Sequence, residues 1–336
     1  MEKKEYVMTL SHTFYWAFLR PEKINQNQFV QRINKEILQD IIDNKISLNI
    51  ELTNEGDLDE SSIELIKNQL KELGILYNNV SFTHSCYKMP NSEIKTIFID
   101  KHFNLKSKQS YEFNKLNKLH YENGNKKPYK FHIPNRRLRQ HRVELLEQLF
   151  LYDKNFIEDN LVSFDINVEW NIESLEKHIS SEEFKNYIFP KKENRIDQSN
   201  LSTLTGYDSE FTDVYKNSYI TIVTETFFHE PYYYISEKAY KPLMQQHPFI
   251  LIGRPFYLKY LKEIGFKTFD SFIDESYDLI QNNELRFNHI LNEIKRLNEL
   301  PKDDLHILCQ NLKDVLIHNQ NVLINHGEEN FKNKLI

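Results

Sequence analysis

Eight consecutive residues, Asn135-Arg136-Arg137-Leu138-Arg139-Gln140-His141-Arg142, set four arginines between an apolar run and a helical pattern. A strand-to-helix turn presents free backbone N–H groups and the positive end of a helix dipole. Guanidinium groups added there fork onto the oxygens of a diphosphate, which makes Asn135, Arg136 and Arg142 candidate anion contacts. A second constellation is Thr224-Glu225-Thr226, followed by Tyr232-Tyr233-Tyr234-Ile235-Ser236-Glu237-Lys238. Ser236 reads as a helix cap with Glu237 and Lys238 in the first turn. The dipole disfavours a lysine at that end, so Lys238 asks for an anionic partner. A glutamate in the same turn can accept hydrogen bonds from a ribose diol. Taken alone, the same residues also read as a capping box with a surface ion pair, and the tyrosines as packing.

The elements that must carry these residues alternate along the chain. Residues 46–52 (Ile-Ser-Leu-Asn-Ile-Glu-Leu) have the period of a strand, and 61–73 the spacing of a helix capped by Ser61 and ended by Gly74. Residues 80–83 and 96–100 read as short strands. Residues 104–128 are polar, lysine-rich and carry Gly124 and Pro128, which marks a linker and a domain boundary near residue 125. The alternation then restarts with a strand at 129–133, a helix at 139–151 and a strand at 161–164. Residues 169–213 are polar and irregular. A buried strand at 219–223 leads into a helix at 237–244, a strand at 249–252 and a helix at 257–264. Helix continues from 276 and again from Pro301. The expectation is an α/β protein of two Rossmann-like domains, 1–125 and 126–300, facing a cleft, with a helical tail at 301–336.

Composition narrows the chemistry. The 336 residues carry 43 Lys+Arg against 49 Asp+Glu, a net charge of −6, which argues against a uniformly basic nucleic-acid surface. A hydrophobic content of 40% rules out wholesale disorder. No stretch approaches the run of about 18 apolar residues that spans a membrane, and the start Met-Glu-Lys-Lys-Glu-Tyr is no signal sequence, so the expected location is cytoplasmic. Two cysteines, Cys86 and Cys309, make no disulfide framework, and no Cys/His spacing suggests a metal. With 7 glycines the chain has neither glycine-rich phosphate-loop motif. Asp274, Glu275 and Asp278 read as a solvated helix start.

The ordered motifs carry a resemblance. Glu225, then Tyr234-Ile235-Ser236-Glu237-Lys238, then Pro248-Phe249-Ile250-Leu251-Ile252-Gly253 resembles the nucleotide-sugar signature of the fucosyltransferase family. Lys130-Phe131 and the helix with Arg142 resemble that family's donor-domain opening. More closely, the order Asn135 to Arg142, Ser236 to Lys238, His247 to Phe249, Leu258 to Phe269 and Asp274 to Asp278 is similar to glycosyltransferase-like proteins of bacteriophages and bacteria. The likeness covers residues 129–290. Ser236 replaces the signature threonine, Thr-Glu-Thr-Phe stands where the family has Phe-Glu-Asn-Ser, and Glu225 and Glu237 are more widely spaced.

The resemblance implies a GT-B arrangement and sugar transfer from a GDP- or UDP-type nucleotide sugar to a hydroxyl acceptor, inverting, with no cofactor and no metal. It implies Arg142 and Lys238 on the diphosphate, Glu237 on the ribose and Tyr234 packed at the nucleotide. Inverting transfer needs a base for the acceptor hydroxyl. Glu55, just after the 46–52 strand, is the first candidate and His12 the second. The acceptor is a glycan or, in an alternative reading, a hydroxymethylated DNA base. A non-catalytic nucleotide-sugar-binding or assembly module is the other alternative.

Overall fold

The computed structural model describes residues 4–9, 33–52, 60–85, 93–117, 125–166, 175–191, 193–194, 214–229 and 233–333. The chain divides into two compact units, Met1–Lys101 with Glu230–Tyr234, and His102–His229 with Ile235–Ile336.

In the first unit, strands β1 (Glu5–Thr9), β2 (Ser47–Leu52), β3 (Val80–His84) and β4 (Lys95–Phe98) form a parallel sheet in that order. Helices α1 (Lys35–Ile42) and α2 (Glu60–Glu72) connect the first three strands. The alternation of 46–52 puts Leu48 and Ile50 at 0% exposure, in a core shared with Ile41, Ile66, Leu70 and Phe82. Buried Asn79 donates from Nδ2 to the carbonyls of Ile41 and Ile46 at 2.9 and 2.8 Å, which satisfies a turn that leaves the helix.

The second unit opens with α3 (Lys101–Asn117), whose first residue falls in the other unit. This helix occupies much of the stretch whose composition suggests a linker. The lysines do not prevent a helix, because the buried stripe is Phe103, Lys106, Ser107 and Ser110, at helical spacing but mostly polar. Five strands follow: β5 (Tyr129–Arg137), β6 (Leu161–Asp165), β7 (Glu193–Asn194), β8 (Ser218–Thr224) and β9 (Phe249–Ile252). Their order is β7-β6-β5-β8-β9, parallel except for the edge strand β7. All residues of β8 and β9 are buried, as expected of strands covered on both faces. Helix α4 (Gln140–Tyr152) follows β5, α5 (Glu182–Lys191) follows β6, α6 (Glu237–Met244) joins β8 to β9, and α7 (Tyr257–Glu263) follows β9. Helices α8 (Asn283–Glu299), α9 (Lys302–Asn311) and α10 (Lys313–Asn333) complete the unit. No helix among the described residues is long and apolar enough to cross a membrane.

Two further expectations are corrected. Asn135-Arg136-Arg137 belong to β5, which runs four residues past its expected end, with a shift in its register against β6 between Pro134 and Arg137. Glu275 and Asp278 are not a solvated helix start. Asp278 is 6% exposed and accepts the backbone N–H groups of Leu258 and Lys259, each at 3.0 Å, capping α7 from about twenty residues away. Glu275 accepts from Thr268 Oγ1 at 2.5 Å and Phe269 N at 2.6 Å. Asp274 does cap the short 3-10 turn at Glu275–Leu279.

Candidate functional site

In the second sheet, β5 is followed by α4 and β6 on one side, and β8 lies on the other side. The connections therefore diverge between β5 and β8, and the carboxyl ends of these strands form a topological switch point, where open α/β sheets take ligands. Asn135, Thr224, Glu225 and the start of α4 all lie there.

Glu225 is the centre of the site. Its side chain is 0% exposed. One oxygen accepts the Ser236 N–H at 3.2 Å; the other accepts the Ser236 hydroxyl at 2.6 Å and the Thr226 N–H at 3.2 Å. Burial raises its pKa above the ordinary value, against the pull of Lys238. Its N–H donates to Ile252 O at 2.8 Å, tying the end of β8 to β9. Gly253 follows directly. A Cβ there would sit 3.3 Å from Glu225 Cβ and 2.9 Å from the Tyr257 ring, so only glycine permits this approach.

Ser236 caps α6 by accepting the Lys238 N–H at 3.3 Å. Lys238 Nζ donates to Ser236 Oγ at 3.0 Å and Thr226 Oγ1 at 3.4 Å, and lies 3.3 Å from Glu237 Oε1. The anionic partner that a lysine at a helix start demands is thus supplied in part by Glu225 and Glu237. Both Lys238 and Glu237 still reach solvent, with side chains 23% and 21% exposed. Burial pushes the Glu237 carboxyl up, but Lys238, Lys241 and His102 outweigh it and hold the group at about 2. His102 Nδ1 lies 3.8 Å from Glu237 Oε2. Behind them Lys106, 2% exposed, donates to Gln109 Oε1 at 2.9 Å. Burial and the charge of Lys241 bring the Lys106 ammonium down to about 8.

Arg142 is placed otherwise than an arginine waiting for phosphate. It is 4% exposed, and Nη2 donates to the carbonyls of Thr224 and Glu225 at 2.8 and 3.1 Å. His141 Nε2 lies 3.0 Å from the same Glu225 carbonyl, so that nitrogen carries the proton. Burial and the neighbouring Arg142 hold His141 well below the ordinary imidazole value, hence neutral. Asn135, 0% exposed, accepts from the Thr224 hydroxyl through Oδ1, while its buried Nδ2 has no hydrogen-bond partner.

The structure therefore brings together Asn135, Arg142, Glu225, Glu237 and Lys238. Arg136 lies on β5 in backbone terms. Tyr234 is 2% exposed and is grouped with the first unit. Glu55 and His12 lie outside the described residues. Sequence reasoning missed His102, Lys106, Glu144 and His229. The first pair sits on the helix taken for a linker, and the second is separated by 85 positions, so no short pattern links them. At the opposite end of the strands, a cavity of about 410 Å³ is lined by residues including Lys130, Asp153, Glu158 and Lys302. Its two lysines donate to the backbone carbonyls of Asn298 and Pro128.

No family model matches the chain, and no curated protein matches it. Among solved structures, it is similar to a UDP-forming α,α-trehalose-phosphate synthase from Burkholderia xenovorans, at 11% identity and a TM-score of 0.41, over 96% of this chain and 80% of that one. It is also similar to a UDP-forming α,α-trehalose-phosphate synthase from Burkholderia vietnamiensis, at 10% identity and a TM-score of 0.39, over 97% of this chain and 81% of that one.

Proposed function

We infer that the protein transfers a sugar from a nucleotide-diphosphate donor to a hydroxyl acceptor, with inversion, and that the second unit holds the donor. The observation that carries this reading is the Glu225–Ser236–Lys238 network, which presents Glu237 and Lys238 at the amino end of α6 beside the β5–β8 switch point. Glu237 takes the ribose hydroxyls, and Lys238 with the α6 dipole neutralises the leaving diphosphate without a metal. Arg142 and Asn135 act from behind, fixing the end of β8 through its carbonyl and hydroxyl groups. The motif order of residues 129–290 supports the same assignment.

The test is a thermal-shift screen against GDP-, UDP-, CMP- and dTDP-sugars. One donor at about 100 times its dissociation constant should add roughly 2.7 kcal/mol of apparent stability. Lys238→Met should lower the unliganded melting temperature, because its contacts with Ser236, Thr226 and Glu237 go, and, measured from that new baseline, lose most of the donor-induced shift. No shift with any donor, or an undiminished shift in the variant, overturns the reading. Slow donor hydrolysis without acceptor separates an enzyme from a binding module.

A further inference from the structure

Burial decides which groups at the β5–β8 switch point can touch a ligand. Asn135, His141, Arg142 and Glu225 are between 0% and 4% exposed, and their hydrogen bonds run to one another and to the strand ends. His229 and Glu144 differ. Their side chains are 34% and 29% exposed, and His229 Nε2 lies 3.6 Å from Glu144 Oε2. Burial opposes ionisation of Glu144, but the contact with His229 outweighs it and leaves the carboxyl below its ordinary range.

The segment that bears His229 is pinned residue by residue against α4. The Arg139 guanidinium lies 5.6 Å from the Phe227 ring centre, the His141 ring stacks on Phe228 at 5.5 Å, and Glu144 faces His229. Arg286, 1% exposed, lies 4.4 Å over Phe228 and donates from Nη2 to its carbonyl at 3.2 Å. Gln140 Nε2 donates to Glu144 Oε1 at 2.8 Å, leaving Oε2 for the imidazole. A carboxylate that orients one ring nitrogen of a histidine leaves the other to work on a substrate. Here Nε2 is buried 3.6 Å from Glu144 Oε2 and makes no hydrogen bond, which leaves Nδ1 as the other nitrogen of the ring.

We propose that His229, oriented by Glu144, touches the substrate and donates from Nδ1 to an oxygen of its diphosphate. The proposal rests on the nucleotide-sugar reading and adds to it a catalytic residue at the leaving group. During transfer the bond from the sugar carbon to the diphosphate oxygen breaks and its electron pair stays on that oxygen. The acceptor oxygen forms the new bond, and its proton passes to the base. His229 stabilises the departing oxygen by a hydrogen bond.

The experiment uses pyrophosphate, GDP, UDP, CDP and dTDP as probes on the full chain. Diethyl pyrocarbonate labelling read by mass spectrometry should show His229 protected by the probes that bind, while exposed His289 stays reactive. His229→Gln should weaken their binding by about 10- to 100-fold, as loss of a hydrogen bond to a charged group does. Footprinting of the unmodified protein keeps the test decisive should the variant fold poorly. Probes that bind while His229 reacts unchanged, or that bind His229→Gln as tightly as the wild type, overturn the proposal and leave the nucleotide-sugar reading standing. If neither these probes nor any nucleotide sugar binds, both fall.

Discussion

Glu237 and Lys106 are neighbours in one charge cluster, and each makes stability rise with pH, in a different window. Glu237 titrates at about 2 in the folded chain against an ordinary 4.5. Its folded value is depressed, so its stabilisation is present above about pH 4.5 and disappears as pH falls toward 2. At about 1.4 kcal/mol per pH unit the contribution is on the order of 3 kcal/mol. Glu237→Gln should therefore unfold with a shallower acid dependence over that window, as read by urea titrations at pH 5 and pH 3. Lys106 is also depressed, to about 8 from 10.5, so the slope keeps its sign, but here it is the charged form that folding penalises. The unfolded chain binds more protons between those values, so stability rises with pH from about 8 to 10.5. Lys106→Met should be more stable than the wild type at pH 7, by up to about 3 kcal/mol, and flatter above pH 8. The measurement is the wild-type minus variant difference, because Lys127 is also brought down to about 8 by burial. A less stable Lys106→Met would show that the hydrogen bond to Gln109 outweighs the desolvation of the ammonium.

Among the elements, legibility followed the chemistry of the buried face. β8 and β9 are continuous apolar runs, and α6 carries its cap in its own sequence, so all three could be read directly. α3 could not, because Lys106, Ser107 and Ser110 fill three of its buried positions and erase the apolar period. The backbone of α3 also packs tightly on α10. Gly327 on α10 approaches so closely that a Cβ would lie 2.2 Å from Ser107 O. The same contact holds Phe103 stacked on His326 at 4.2 Å, with His326 Nε2 2.7 Å from Asn104 Oδ1. Gly327→Ala should cost at least the roughly 1–3 kcal/mol of an overpacked core, more than the ~1 kcal/mol gained in helix propensity. Because α3 brings His102 to Glu237, the variant should also bind nucleotide more weakly; unchanged denaturation midpoint and affinity would show that the helices part without consequence. The α7 cap was illegible for a different reason. Local cap rules look within four residues, whereas Asp278 reaches Leu258 and Lys259 across a loop. Asp278→Ala should lose about 1–2 kcal/mol in urea titration, the range for a lost helix cap.

At the scale of the whole chain, the alternation of strands and helices was visible in the sequence, but the order of strands in a sheet was not. Nothing local says that β8 lies beside β5 rather than beside β6, yet that adjacency creates the switch point. Under the proposed function, the division into two units also separates the chemistry. The residues assigned to the donor that lie in the second unit fall between Asn135 and Lys238, whereas His12 and Glu55 belong to the first. Glu55 follows β2 at its carboxyl end and lies outside the described residues, so its role is argued from position in the chain. A general base contributes about 10²–10⁴-fold to rate, and glutamine keeps the size and hydrogen bonding of glutamate without accepting the proton. Glu55→Gln should leave nucleotide affinity nearly unchanged and lower sugar transfer by about that factor. His229→Gln makes the contrasting case, because it should lose affinity for the diphosphate itself. Wild-type transfer rates in Glu55→Gln would pass the base role to His12. A loss of donor affinity in the same variant would instead put Glu55 at the nucleotide and end the assignment of donor and acceptor chemistry to separate units.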